Sequence, residues 1–190
     1  MARTTLLLDS NSYFRLARSI HPLLGQEFGS AVRYCLEVIS ELDQEFQRSP
    51  RLRSKFHWIS EPEYCANRSK RRLVSRVQRQ EINRVFDFIL NHARTERLGV
   101  SPVDIRALAM AYVLKVQLVT DDQDMLTLAE AFSIQTLTTL ELMRLMLTER
   151  HIDIRRVRQI VSYWQYEKDL PAGFHNDYHR LFGEKEPDPL

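Results

Sequence analysis

The stretch LLLDSNSYF, residues 6–14, sets an apolar run directly against a carboxylate. With Thr4 and Thr5 in front, the three leucines have the length of a buried strand, and Asp9-Ser10-Asn11 is a turn signal that ends it. A carboxylate in that place has three readings: a turn residue, a helix cap, or one wall of an active site. The rest of the chain has to choose among them.

A second run of the same kind lies late in the chain. KVQLVT (115–120) reads as a strand and ends on Asp121-Asp122, with Asp124 just beyond. Ahead of it, Ser101 is a candidate N-cap, Pro102 suits the first helical position, and Asp104 completes a capping-box-like start to a helix reaching about Ala111. After it come a helix in DMLTLAEAF (124–132), a strand in SIQTL (133–137) and a helix in TLELMRLMLTER (139–150). Strands alternating with helices of this length predict an α/β layer with a mainly parallel sheet.

The first half is less regular. A loose helical pattern over 13–24 is broken by His21-Pro22. Residues 31–47 (AVRYCLEVISELDQEFQ) carry Cys35, Ile39, Leu42 and Phe46 at three- and four-residue steps, which predicts one continuous helix. FHWIS (56–60) reads as a short strand, 61–67 as a loop, and 68–99 as one long helical pattern stopped at Gly99. The expected organisation is a domain over 1–148, a helical C-terminal extension over 149–183 packed on it, and a frayed polar tail over 184–190.

Bulk properties narrow the classes. A chain of 190 residues with 44% hydrophobic and 27% charged residues has the makeup of a soluble globular protein, and its formal charge of +2 selects no partner. No apolar stretch approaches the roughly 20 residues of a membrane span, and three leucines are too few for a signal peptide. Cys35 and Cys65 lack metal spacing, so reduced thiols in a cytoplasmic protein are expected. No Gly-rich phosphate loop or Gly-x-Ser-x-Gly elbow is present, which removes nucleoside-triphosphate and serine-hydrolase chemistry.

In open α/β sheets, ligands bind outside the carboxyl ends of the strands. Asp9, Asp121, Asp122 and Asp124 follow strands, Asp104 opens the helix that feeds the second of them, and residues 31–47 add Glu37, Glu41, Asp43 and Glu45. Carboxylates gathered in one place repel one another unless a cation sits among them, and Mg²⁺ or Mn²⁺ suits an all-oxygen site. Such a site does chemistry on phosphodiesters. Taken singly, Asp9 is an ordinary turn residue, Asp104 an ordinary N3 carboxylate and Glu41 an ordinary solvated charge.

At these residues the chain resembles the PIN-domain nucleases. LLLDSNSYF is similar to that family's opening, VISELDQE (38–45) to its second element, and SPVDIRALAMA…VQLVTDDQDMLTLAEAF to its third and fourth, in order, over roughly residues 4–140. The resemblance implies a three-layer α/β/α sandwich and Mg²⁺- or Mn²⁺-dependent cleavage of RNA leaving a 5′-phosphate. It puts the catalytic and metal-site acids on Asp9, Glu41, Asp104 and Asp122, with Ser10, Asn11 and Thr120 hydrogen-bonding around them. Asp121 and Asp124 stand as further metal candidates, and Glu37, on the same helical face as Glu41, as a substitute for it. Two departures stand out: no clear strand precedes VISEL, and a helical wheel sets Glu41 with Glu37 on the side away from the apolar stripe. Thr120 is also followed by two adjacent acids, of which strand alternation favours Asp122 as the ligand. Because the best-known small members are ribonuclease toxins, an antitoxin or other protein partner and a homodimer are further expectations.

Residues 68–84 carry seven basic side chains (Arg68, Lys70, Arg71, Arg72, Arg76, Arg79 and Arg84) against Glu81 alone. Beside an acidic site such a stripe is expected to hold the phosphate backbone of RNA, though it equally describes a solvated helix face or a dock for an acidic protein. His175 and His179 are spaced i, i+4 but have no third ligand close in sequence, so packing or exposure is expected rather than zinc. Tyr163, Trp164, Tyr166, Phe174, Tyr178 and Phe182 are read as glue for the extension. The reading that emerges is a metal-dependent ribonuclease; its alternative is a catalytically inactive PIN-like module that binds RNA or protein.

Overall fold

Leu6, Leu7 and Leu8 are all buried, and they divide between two cores. Leu6 and Leu8 face one side of a sheet and Leu7 the other, as the period-two alternation of a strand requires. A strand covered on both faces is central, and β1 (Arg3–Leu8) is the middle of five. The structure is a computed structural model describing residues 3–69 and 74–189.

Among the described residues the sheet contains β1, β2 (Glu27–Phe28), β3 (Arg33–Val38), β4 (Gln117–Val119) and β5 (Thr136–Leu137), in the order β2-β3-β1-β4-β5. β1 pairs in parallel with β3 and β4, and β4 with β5; only β2, at the edge, runs antiparallel. This is the mainly parallel α/β sheet expected from the alternation of elements. The helices around it are α1 (Ser10–Ala17), α2 (Glu41–Arg48), α3 (Pro50–Lys55), α4 (Pro62–Ser69), α5 (Arg76–Thr95), α6 (Pro102–Leu114), α7 (Gln123–Ala131), α8 (Thr139–Thr148), α9 (Ile154–Glu167) and α10 (Phe174–Phe182).

They form two layers. On one face Leu6, Leu8, Leu36, Val38 and Val119 pack with Phe14, Leu42, Phe46, Met143, Val161, Trp164 and Tyr178, so α1, α2, α8, α9 and α10 share one core. On the other face Leu7 and Leu118 pack with Ile82, Ile89, Ile105, Leu108, Met125 and Leu128 from α5, α6 and α7. Small Ala107, Ala109 and Ala111, all buried, keep α6 close to its neighbours. The result is a three-layer α/β/α sandwich, and the helices after residue 149 belong to its first layer.

The local signals behave unevenly. Ser101 and Asp104 form the reciprocal capping box that starts α6, as their spacing predicts. The single helix expected over 31–47 is instead two elements, β3 and α2. Leu36 and Glu37 are buried although neither lies on the helical stripe, because parallel pairing with Leu6 and Leu7 of β1 claims both faces of this segment. The strand that seemed missing before VISEL is therefore there. FHWIS contains a 3-10 turn (His57–Ser60) rather than a strand, and the expected loop after it is α4. The one long helix expected from 68 is replaced by α4 and α5, with a fresh capping box at Ser75. The tail is not frayed throughout: Glu184 accepts from Tyr178 Oη at 2.7 Å and pairs with Arg158, and Glu186 meets His175 at 2.7 Å.

Candidate active site

Asp9 ends β1 and caps α1. Its Oδ1 accepts from the Ser12 backbone N–H at 2.7 Å, and its Oδ2 accepts from the Thr120 hydroxyl at 2.6 Å. Turn residue, cap and site wall are thus compatible roles for one carboxylate. Only 3% of Asp9 is exposed, and burial pushes its carboxyl up to about 6 against the hydrogen bonds from Thr120 and Ser12; the charge of Asp121 pushes the same way. Thr120 is fully buried, and its oxygen also accepts from the Asp122 N–H at 3.2 Å, so one hydroxyl ties the end of β1 to the end of β4.

Three further carboxylates gather at this edge. Asp122 caps α7 through its Oδ1, which accepts from Met125 N–H at 2.9 Å. Asp104 accepts from Ser101 N–H through Oδ2 at 3.1 Å; burial raises its pKa, and so does the charge of Asp122. Glu45, on α2, accepts from the Ser10 hydroxyl at 2.6 Å, and its pKa is raised by burial and by the charge of Asp104. Each of the three fixes one oxygen, and Asp122 Oδ2, Asp104 Oδ1 and Glu45 Oε1 have no hydrogen-bond partner among the described residues. None of the three, nor Asp9, has an ion-pair partner among the described residues.

The other expected acids are engaged differently, although Glu41 lines one cleft with Glu45. Glu41 opens α2, accepts from Ser40 Oγ at 2.8 Å and lies 3.6 Å from Arg106 Nε, so a cation already neutralises it. With the helix beginning at Glu41, the residue one turn on is Glu45, and that is the side chain that meets Ser10 and feels the charge of Asp104. Glu37 is buried in β3 against Arg3, so it shares no helical face with Glu41. Asp121 is claimed by Arg15 at 2.7 Å and by Thr139, whose hydroxyl and N–H donate to it at 2.5 and 2.9 Å. Asp124 accepts from Gly99 N–H at 2.6 Å and so ties down the loop before α6. Ser10 supports the site through Glu45, while Asn11 is exposed on α1; Ser12, with its N–H on Asp9, takes the part expected of Asn11.

The basic stripe divides too. Arg68 is buried, not on a surface: its guanidinium donates to Asp43 at 2.8 Å, to Tyr13 Oη at 3.2 Å and to the Ile59 carbonyl at 3.1 Å. Such donors are spent inside the protein and cannot face a phosphate backbone. Lys70, Arg71 and Arg72 lie outside the described residues. Arg76 and Arg79 are exposed on α5, and Arg79 borders a cleft of about 490 Å³ together with Glu41, Asn83 and Arg106.

Among the described residues, no three His, Cys, Asp or Glu side chains lie close enough together to hold an ion by themselves. The donor set still fits a hard divalent ion of one kind. Mg²⁺ keeps several of its waters and is commonly held by one or two carboxylates plus a substrate phosphate, without an all-protein cage. Open oxygens on mutually repelling Asp104, Asp122 and Glu45 meet that requirement; a closed cage would not be met.

Fold and site together define a three-layer α/β protein with an acidic site beyond the carboxyl ends of its parallel strands. No protein-family model matches the chain, and no curated protein matches it. Among solved structures it is similar to the crystal structure of FitAcB from Neisseria gonorrhoeae, at 12% identity and a TM-score of 0.46, over 70% of this chain and 97% of that one. At that distance the likeness adds nothing to the chemistry, which rests on this chain's own residues. No helix among the described residues is long and apolar enough to cross a membrane.

Proposed function

We propose that the chain is a metal-dependent ribonuclease of the PIN type, hydrolysing phosphodiester bonds at the acidic edge. The observation carrying this reading is the trio Glu45, Asp104 and Asp122. Three carboxylates from three separate elements are held close enough for Asp122 to raise Asp104 and for Asp104 to raise Glu45, with no cation at ion-pair distance among the described residues. Clustered carboxylates raised by burial and by one another are a feature of sites that take a cation or handle a proton. Asp104 and Asp122 would hold Mg²⁺ or Mn²⁺, with Glu45 and Asp9 around it. When bound, such an ion lowers the pKa of a water and offsets charge on the phosphate.

The chain's own residues would do the rest. Ser10, Ser101 and the first turn of α7 fix one oxygen each of Glu45, Asp104 and Asp122, leaving the other free to take a ligand. Glu45 Oε1, on a carboxyl of raised pKa, suits taking a proton from an attacking water. Thr120 keeps Asp9 in register with Asp122. Exposed Arg76 and Arg79 would bear on the strand's phosphates.

The test is incubation of end-labelled single-stranded RNA with Mg²⁺ or Mn²⁺, using wild type, Asp104→Asn, Asp122→Asn and Glu45→Gln. Cleavage that needs the ion and falls at least a hundredfold in the aspartate variants supports the reading. Cleavage unchanged in all three variants would sink it. The lack of a three-ligand cage among the described residues favours a second reading, an RNA-binding module that does not cut, which the same experiment would reveal as binding with no product.

A further inference from the structure

Next to the acidic trio lies a cleft of about 420 Å³ that the reaction as described does not use. Its lining includes Gln44, Glu45 and Arg48 from α2, Phe86 from α5, and Val103 and Arg106 from α6. Glu45 belongs to both the cleft and the acidic edge, so whatever fills one abuts the other. The guanidinium carbon of Arg106 sits 4.5 Å from the Phe86 ring centroid and is steadied by Asn83, 2.7 Å from Arg106 Nη1. The Phe86 ring with this guanidinium over it and Val103 beside it offers a surface on which a base can stack, and Glu41, which also lines the cleft, holds Arg106 Nε at 3.6 Å. Arg48 is exposed at the rim, where a phosphate attached to whatever stacks below would meet its charge.

We infer that this cleft binds one nucleobase of single-stranded RNA, stacked on the Phe86–Arg106 pair with its phosphate toward Arg48, and so positions the neighbouring phosphate at the acidic edge. The inference rests on the ribonuclease reading for its substrate but concerns a site of its own. Gln44, whose amide both donates and accepts, stands where it can read the base edge. A platform of this kind accepts any base by stacking and discriminates only through such edge contacts. It also restricts the substrate to unpaired strands, since a base in a duplex cannot leave its stack without cost.

The test is fluorescence anisotropy of a labelled, unstructured 12-nucleotide RNA in EDTA, where no metal-dependent cleavage occurs. The proteins are wild type, Phe86→Leu, Phe86→Trp and Arg48→Ala. Loss of one stacked base should weaken binding of Phe86→Leu roughly tenfold or more, while Phe86→Trp should bind at least as tightly as wild type. Leucine preserves apolar packing at this half-buried position, and a far-ultraviolet spectrum with a melt confirms the fold. An abasic oligomer of the same length should bind weakly and equally to wild type and Phe86→Leu. Equal RNA affinity in wild type and Phe86→Leu overturns the inference, as does displacement of the RNA by a free mononucleotide at micromolar concentration, which would make the cleft a mononucleotide site. Cleavage indifferent to Phe86 removes the base site alone; Phe86-dependent binding without any metal-dependent cleavage removes the ribonuclease reading alone.

Discussion

Arg15 joins Asp121, at the end of β4, to Asp169, just beyond α9: its guanidinium lies 2.7 Å from the first carboxylate and 3.2 Å from the second. Lys55 completes the group at 3.0 Å from Asp169, and the Trp164 indole donates to the Arg15 carbonyl at 3.1 Å. The cations beside Asp169 hold its carboxyl below the usual range despite its burial. The C-terminal helices are thus wired to a residue adjacent to Asp122.

Removing Arg15 leaves Asp121 buried beside Asp9 with the hydrogen bonds from Thr139 but no cation beside it. Arg15→Ala is expected to cost about 3–5 kcal/mol, because a buried charge stripped of its partner retains its full desolvation penalty. Asp169→Ala should cost less, about 1 kcal/mol, since its side chain is 26% exposed and Arg15 keeps Asp121. Urea unfolding of both variants checks the order; equal losses would mean that the pair with Asp121 is not the stronger link.

Asp9 makes stability depend on pH in an unusual direction. Its folded pKa of about 6 lies above the ordinary 3.8, so between those values the folded state binds more protons than the unfolded one. Stability from this group is therefore complete below about pH 4 and is lost as pH rises through 6, by up to about 3 kcal/mol. Asp9→Asn keeps an oxygen for the Ser12 N–H and cannot ionise. In EDTA its stability relative to wild type should rise from about pH 4.5 to a little above pH 6 and then level off. A difference that is flat with pH would place the Asp9 carboxyl near its ordinary value.

How much of this was legible depended on how local the determining interactions are. β1, β4 and the box of Ser101 and Asp104 were readable because a few neighbouring residues decide them. β3 was not: Tyr34, Cys35, Leu36 and Val38 form a short apolar run whose periodicity fits a helix or a strand, and pairing with β1, some thirty residues away, settles it. The difference carries into the placement of the acids. With the helix begun at residue 31, Glu37 and Glu41 share a face; begun at Glu41, its turn brings up Glu45. Arg68 misled for another reason. Composition counts its charge, but only the fold shows that Tyr13, Asp43 and Ile59 surround it.

That correction separates two arginines of the same stretch. Arg68→Ala takes the stronger donor from the Ile59 carbonyl, strands the Tyr13 hydroxyl, removes a partner of Asp43 and opens a cavity, which should cost about 2–4 kcal/mol. Arg79→Ala, on the exposed face of α5, should change stability by less than about 0.5 kcal/mol. If α5 bears on RNA, Arg79→Ala should weaken binding of all sequences alike and lower the slope of log affinity against log salt by about 1. An unchanged slope would make α5 a solvated face.

The acidic edge makes its own demand on metal. An ion that binds only the folded chain stabilises it by about 2.7 kcal/mol at a hundredfold excess over its dissociation constant, which for a domain of this size raises Tm by roughly 5–10 °C. Thermal melts in EDTA, Mg²⁺ and Mn²⁺ should show that rise in wild type and lose most of it in Asp104→Asn and Asp122→Asn, which give up one charged oxygen each. Asp124→Asn is the control: its carboxylate serves Gly99 N–H, so it should cost some stability in EDTA yet leave the increment from metal intact. The rise should also be larger at pH 7.5 than at pH 5, because the raised pKa values of Asp104 and Glu45 make protons compete with the ion at the lower pH. A rise that vanishes in Asp124→Asn and survives in Asp104→Asn would move the metal away from the trio, and the ribonuclease reading would lose its site.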